Sequence, residues 1–186
     1  MGTIKTTNIE PIADNGTVTL GSSGDTFTLG SGVVQSNLNY PAFAAKMSSN
    51  QNIADNTNVK LNFDSEIIDT DNAYDHSSNY RFTVPSGKAG KYMFSLQVFS
   101  RASSVGNLNF TCLKIYKNGS QLLTGIHNDN DNLSYGHTPN VIVMDDASVG
   151  DYYEPYILAY SASTQLVIDT TDQGGCDHFN GYRIGS

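Results

Sequence analysis

The sequence predicts an all-β protein, built as a β-sandwich of the jelly-roll kind or as a barrel. Short segments in which apolar and polar residues alternate recur along the chain, separated by turns rich in Gly, Asn, Asp and Ser. No window carries a sustained helical stripe of apolar residues, and the nearest candidate, 44–47, is one turn long. Eleven tyrosines and eight phenylalanines supply strand-forming residues, and tryptophan is absent.

The first 36 residues differ from the rest of the chain. Residues 17–22 (TVTLGS) return nine positions later as 26–31 (TFTLGS). A ribbon this thin cannot bury enough apolar area to offset its own ordering entropy, and regular repeats of this kind stack on copies. We therefore predict a β-rich stalk at 1–36 and a head at 37–186, with a flexible leader as the alternative to the stalk. The apolar residues expected to pack in the stalk are Val18, Leu20, Phe27 and Leu29.

The head is predicted to contain eight to ten short strands. The segment 108–123 has Asn118-Gly119 between two strand-like arms, which is the strongest short hairpin signal in the chain. In the last strand, Phe179 and Gly181 share one face while Tyr182 lies on the other, and Gly181 is expected to make room for a large neighbouring ring. The other predicted strands are 41–47, 58–64, 79–85, 90–99, 140–146, 151–160, 165–170 and 179–184.

Net charge is −8, and the stretch 118–182 contains no Lys or Arg. A nucleic-acid reader needs a basic face, so nucleic acid is not an expected partner, and an anionic membrane surface is disfavoured for the same reason. No segment approaches the roughly 18 apolar residues of a membrane span, so membrane insertion is not expected. The two cysteines, Cys112 and Cys176, are too few for a disulfide framework.

Two acidic loops motivate a calcium site more than any other cofactor. Carboxylate and amide oxygens are suitable ligands for Ca²⁺, although neither loop has the Gly and Glu of an EF-hand. The alternative for each loop is a solvated turn rich in Asp and Asn. The carboxylates concerned are Asp69, Asp71 and Asp75 in the first loop, and Asp129 and Asp131 in the second.

No recognisable catalytic motif is present. There is no Gly-X-Ser-X-Gly elbow and no phosphate-binding glycine motif. Paired carboxylates such as Asp145-Asp146 keep a polysaccharide depolymerase as a minor alternative. We therefore expect a protein that is not an enzyme.

The order of motifs in residues 41–186 resembles the globular heads of the C1q family, relatives of tumour necrosis factor. Each motif alone is weak, whereas seven in the right order are specific. The motifs are PAFAA at 41–45, Phe63-Asp64, Tyr74-Asp75, the Gly90, Tyr92 and Phe94 strand, Lys117-Asn118-Gly119, GDYYEPYI at 150–157 and FNGYRI at 179–184.

This resemblance implies a jelly-roll head that assembles as a compact homotrimer. It would place Phe179, Gly181 and Tyr182 in the packing of the trimer, beside the stalk residues named above. Some heads of this family bind calcium. There is no collagen stalk; instead, residues 3–32 resemble leaders of tailed-bacteriophage fibres and other virion proteins.

The resemblance also gives the expected function and location. We expect a trimeric fibre or spike protein at the virion surface of a bacteriophage, docked to a virion protein through 1–36 and displaying a surface for a host glycan or receptor. A capsid-decoration or fibre-anchoring protein is the alternative. The family-like strand order puts loops 102–108, 145–150 and 171–178 at the tip. Expected recognition residues are Tyr135, His137, Asp145, Asp146, Asp172 and His178.

Overall fold

In the computed structural model the chain divides into two units, Met1–Ser36 and Asn37–Ser186. The residues described here are Ile9, 18–19, 21–26, Thr28 and Ser31 in the first unit, and in the second 41–185 without 103–107, 129–134, 162–165 and 172–175.

The first unit contains a tight turn between the two copies of its repeat. The amide of Ser22 donates to Asp25 Oδ2 at 2.6 Å, and the amide of Asp25 donates to the carbonyl of Ser22 at 3.0 Å. Gly24 has a φ of 93°, a conformation that favours glycine. Val18 is exposed, and Leu20, Phe27 and Leu29 lie outside the described residues. The stalk and its packing stay a prediction.

The described part of the second unit contains fifteen strands and no helix. No helix among the described residues is long and apolar enough to cross a membrane. The strands are β1 (Ala42–Lys46), β2 (Gln51–Ile53), β3 (Val59–Lys60), β4 (Ser65–Asp69), β5 (Tyr74–Asp75), β6 (Arg81–Thr83), β7 (Gly90–Gln97), β8 (Ser100–Ala102), β9 (Leu108–Lys117), β10 (Ser120–Asn128), β11 (Gly136–His137), β12 (Asn140–Ala147), β13 (Tyr152–Ser161), β14 (Leu166–Ile168) and β15 (His178–Gly185).

The strands form three antiparallel sheets. The first sheet has the order β12-β7-β15-β1-β4, and the second has the order β10-β9-β13-β6-β5, with β3 added beside β13. A smaller third sheet has the order β11-β8-β14-β2. Strands distant in sequence are neighbours in each sheet, as in a jelly roll. The predicted all-β jelly-roll class is confirmed.

An aromatic cluster fills the core of the head. Phe43 stacks on Tyr74 and on Phe82, each with ring centroids 4.9 Å apart, and meets Phe179 edge-on at 5.0 Å. Gly181 makes this packing possible, because a Cβ there would lie 2.5 Å from a ring carbon of Phe94 and 2.6 Å from one of Phe43. The sequence predicted such a neighbouring ring, and the structure confirms it.

The first and last strands of the head begin at its opposite ends. We call the end near Gly90 the base and the end near Gln97 the tip. Pro41 lies at the base, because its carbonyl accepts a hydrogen bond from the amide of Arg183 at 3.0 Å. His178 lies at the tip, paired with Gln97. The chain therefore begins its first strand at the base and begins its last strand at the tip.

The predicted placement of one loop is wrong. Loop 145–150 lies at the base, since Ala147 pairs with Gly90. Loop 171–178 leads into β15 at the tip, as expected. The hairpin predicted at Asn118-Gly119 joins β9 to β10, and β10 runs along β9 as far as the pair of Asn128 with Phe110. The hairpin lies at the base, where the Lys117 ammonium donates to the carbonyl of Asp146, and β10 therefore ends at the tip.

Candidate self-association surface

Two neighbouring rows of side chains cross the outward side of the first sheet. Residues in register on paired strands stand side by side, and residues two positions apart on a strand share a face. We call these nine residues the outer face of the first sheet. One row is Ile142, Ser95, Asn180, Ala44 and Ile68, and the next is Met144, Met93, Tyr182 and Ala42.

The large side chains of the outer face are unusually exposed. Met144 is 72% exposed, Ile142 58%, Ile68 52% and Tyr182 39%. Isolated exposed apolar residues are common on protein surfaces, whereas a contiguous patch of them marks an interaction site. The register places these residues in adjacent positions, so they form a patch.

A shallow hollow of about 460 Å³ lies within this face. Ala42 and Ala44 on β1 are small, and the longer side chains of Ile68, Met93 and Tyr182 stand around them. The Tyr182 hydroxyl contacts the sulfur of Met93 at 3.8 Å. A protruding apolar side chain from a partner surface would fit such a hollow.

Charged and polar residues flank the two rows. At the base, Asp146 stands opposite Lys91. Toward the tip, β1 ends at Lys46 and β15 begins at His178. The nine residues of the outer face carry no formal charge. An apolar centre with a polar rim is the usual anatomy of a protein–protein interface.

The residues predicted to pack in the trimer fall on both sides of the sheet. Tyr182 belongs to the outer face. Phe179 and Gly181 point inward, and Phe179 is fully buried in the core of its own chain. Alternation along β15 is the reason, since neighbouring residues on a strand face opposite sides.

Two predicted recognition residues lie together near the tip. Tyr135 is 37% exposed, and its ring lies 5.5 Å from the Arg101 guanidinium and 6.5 Å from the Phe99 ring. His137 is only 3% exposed and contacts the ring of His127, with centroids 3.9 Å apart. The Tyr135 ring is therefore accessible to solvent, whereas the His137 ring is packed in the interior.

The other predicted recognition residues are dispersed. His178 Nε2 and Ser95 Oγ are 3.1 Å apart, and burial lowers the pKa of His178. Asp145 accepts a hydrogen bond from the Tyr153 hydroxyl at 2.5 Å. Exposed Asp146 pairs with Lys91, six residues along β7 from the partner of His178, which is about 20 Å. The structure does not bring these residues into one site, and Asp172 lies outside the described residues.

The carboxylates of the first predicted calcium loop bind neighbouring protein groups. Asp69 accepts the amides of Ala73 and Tyr74 at 3.0 and 2.9 Å. Asp71 lies 3.6 Å from the Lys88 ammonium. Asp75 accepts the amides of the next turn, which lower its pKa.

No group of three or more His, Cys, Asp or Glu side chains that could hold a metal occurs in the described part of the chain. Asp129 and Asp131 of the second loop lie outside that part.

Sequence reasoning missed most of the outer face. Ile142 and Met144 were placed on a strand but assigned no role. Their signal was available in NVIVMDD, because apolar residues occupy both faces of this strand and Val141 already serves the core. A strand that is apolar on both sides has a second surface to cover.

Comparisons with known proteins support the fold. No protein-family model matches the sequence, and no curated protein matches it. The globular domain of zebrafish complement 1qA is similar in structure, with a TM-score of 0.50 and 14% identity over 77% of this chain and 97% of that one.

Murine APRIL at pH 5.0 is similar with a TM-score of 0.53 and 10% identity, over 76% of this chain and 95% of that one. Its structure at pH 8.0 gives a TM-score of 0.51 over the same shares. The head therefore has the C1q/TNF-like jelly-roll fold.

Proposed function

We propose that this chain is a non-enzymatic display protein that self-associates as a homotrimer through the outer face of its first sheet. The observation that carries the proposal is the pair of uncharged rows with Met144 and Ile142 at one edge and Ile68 at the other. Burying exposed apolar area stabilises association by roughly 25 cal/mol per Å² before the costs of ordering. The likeness to C1q and TNF-type heads favours three copies.

The setting we propose is the surface of a bacteriophage virion, as part of a fibre or spike. The resemblance of residues 3–32 to virion leaders supports this setting. The geometry of the head agrees with a display role, because Pro41 lies at the base while His178 lies at the opposite end. In this proposal the N-terminal segment docks to a virion protein and the tip faces the host.

Sedimentation velocity of the full chain at micromolar concentration tests the assembly. We expect a particle of three times the 20.1 kDa chain mass. Ile142→Asp should dissociate it, because a carboxylate would be buried without a partner within the uncharged rows of the interface. Val149→Asp is the matched control, since Val149 is 52% exposed against 58% for Ile142 and lies in the turn after β12. A wild-type particle of single-chain mass would overturn the proposal.

Antibody labelling of virions that carry the protein tests the setting. An antibody against the head should label fibre or spike tips seen by electron microscopy. Labelling of the capsid shell instead would replace the receptor role with decoration. If the antibody labelled neither structure, the protein would not belong to the virion surface.

A further inference from the structure

A second hollow, at the tip, is distinct from the outer face of the first sheet. Its volume is about 490 Å³, within the usual range for small-molecule sites. It lies where β1 ends and β4 begins, since Lys46 pairs with Ser65 there. The polar residues around it are Lys46, Ser48, Ser65, Thr170, Thr171 and Asp177.

Asp177 is the unusual member of this lining. It is only 7% exposed. Its Oδ1 accepts the amide of Phe99 at 3.0 Å, whereas its buried Oδ2 has no hydrogen-bond partner among the residues that the structure describes. A buried carboxylate oxygen without a partner is costly. Turned outward into the hollow, this oxygen would accept a donor from a bound ligand.

Three of the hydroxyl groups of the hollow already donate their protons within the chain. Ser48 Oγ donates its proton to Asp64 at 2.6 Å, and Thr170 Oγ1 donates to Asn50 at 3.0 Å. A hydroxyl has one proton and two lone pairs, so each of these oxygens retains accepting capacity but no donor.

Thr171 follows the same pattern. Its Oγ1 donates to Asp169 Oδ1 at 2.8 Å. With the Asp177 carboxylate, four acceptor groups stand beside the donors Ser65 and Lys46, which favours a ligand that is rich in donors and can also accept.

The formal charges of the lining decide among donor-rich ligands. Lys46 carries a positive charge and Asp177 a negative one, and they line the same hollow. The ammonium opposes a metal ion or an amine, and the carboxylate opposes an anion. An uncharged ligand with several hydroxyl groups satisfies both, because its hydroxyls donate to the acceptors and its own oxygens accept from Lys46.

We propose that this hollow binds an uncharged saccharide residue, with the Asp177 carboxylate turned outward to accept from a sugar hydroxyl. The inference rests on the proposed display function, to which it adds a place and a ligand class. The location agrees, since the hollow lies at the opposite end of the head from Pro41. Tyr135, His137, Asp145, Asp146 and His178 are not among its lining residues.

The four methionines make one experiment sensitive to both proposals. Met47 lines the tip hollow, while Met93 and Met144 belong to the outer face of the first sheet. The remaining methionine is Met1. The ¹³C-methyl NMR signals of the full chain therefore report saccharide binding and assembly separately.

The probes are two matched series that differ in charge. They are glucose, glucuronate and glucosamine, and galactose, galacturonate and galactosamine. In at least one series we expect the neutral sugar to shift the Met47 signal more strongly than its acidic or amino counterpart. A response only to the amino sugars, or loss of the response on adding a chelator, would mean a cation site and would overturn the assignment.

Variants then test the residues. Asp177→Asn and Thr171→Val should each weaken the response about tenfold, because each removes or weakens an acceptor for a sugar hydroxyl. Thr171 is exposed, so its variant should fold even where Asp177→Asn does not. Asp55→Asn is the control, since Asn keeps the oxygen that accepts the Ser161 amide. Equal binding by Thr171→Val and wild type would overturn the proposed contacts.

Failure of one proposal is distinguishable from failure of the other. A trimer whose Met47 signal responds to no sugar would overturn the saccharide site and leave the assembly intact. A single-chain particle whose Met47 signal responds would support the site and overturn the assembly.

Discussion

Replacing Asp177 by Asn should change how the stability of the head depends on pH. Burial raises the pKa of Asp177 from 3.8 to about 6, with a further contribution from the charge of Asp169. The folded chain therefore binds this proton more tightly than the unfolded chain does. Stability from this group is fully present below pH 3.8 and is lost as the pH rises through about 6.

The size of this effect follows from the shift. A displacement of about two pKa units corresponds to roughly 2–3 kcal/mol of free energy of unfolding. Asn cannot ionise, and its oxygen still accepts the Phe99 amide. The stability of Asp177→Asn relative to wild type should therefore rise by roughly 2–3 kcal/mol between pH 4 and pH 7.

Urea unfolding at pH 4, 5, 6 and 7 measures this difference. Tyrosine fluorescence is the signal, because the chain has eleven tyrosines and no tryptophan. Both proteins are compared at one chain concentration, so that any dissociation on unfolding affects them equally. Groups with the opposite pH dependence, such as Asp75 with its lowered pKa, occur in both and cancel. If the difference in free energy of unfolding between the two proteins stayed constant from pH 4 to pH 7, the raised pKa of Asp177 would be refuted.

Three further predictions concern the core and the tip. Gly181→Ala should lower the free energy of unfolding by about 1–3 kcal/mol, because its methyl group would overlap a core phenylalanine ring; Gly185→Ala, with open space around its Cβ, should have little effect in the same urea titration. Tyr153→Phe should cost about 1.5–3 kcal/mol in thermal denaturation, since it removes the hydrogen bond to Asp145, and an unchanged melting temperature would contradict this. Burial lowers the pKa of His178, so its contribution to the free energy of unfolding is present above pH 6.5 and lost as the pH falls toward the lowered value. His178→Gln should therefore reduce the loss of stability below pH 6.5 in urea titrations, and an unchanged loss would show that His178 does not cause it.

The strands of the core could be predicted because their burial follows a linear pattern. Alternation through 90–99 anticipated β7, and Asn118-Gly119 anticipated the hairpin of β9 and β10. The prediction failed for β4, where Ile67 and Ile68 are adjacent and both exposed. An edge strand has a partner on one side only, so its residues need not alternate.

The surfaces could not be predicted, because they depend on register between distant strands. Ile142, Asn180 and Ile68 share a row only through β7, β15 and β1, and no spacing along the sequence encodes that row. The same applies to the tip hollow, where Lys46 and Asp177 come from opposite ends of the head domain's sequence. Loop 145–150 was misplaced because β12 runs from the tip to the base, a direction that only its register with β7 reveals.

The two proposed surfaces make different demands on assembly, and this gives a final prediction. Three copies of the tip hollow on one trimer would bind a surface bearing many saccharides about 100-fold or more tightly than one copy does. Ile142→Asp should therefore abolish binding of the chain to glycan-coated beads while leaving the Met47 response to free sugar intact. Asp177→Asn should weaken both measurements. Loss of the free-sugar response in Ile142→Asp would show that the hollow is completed by a neighbouring copy rather than by one chain.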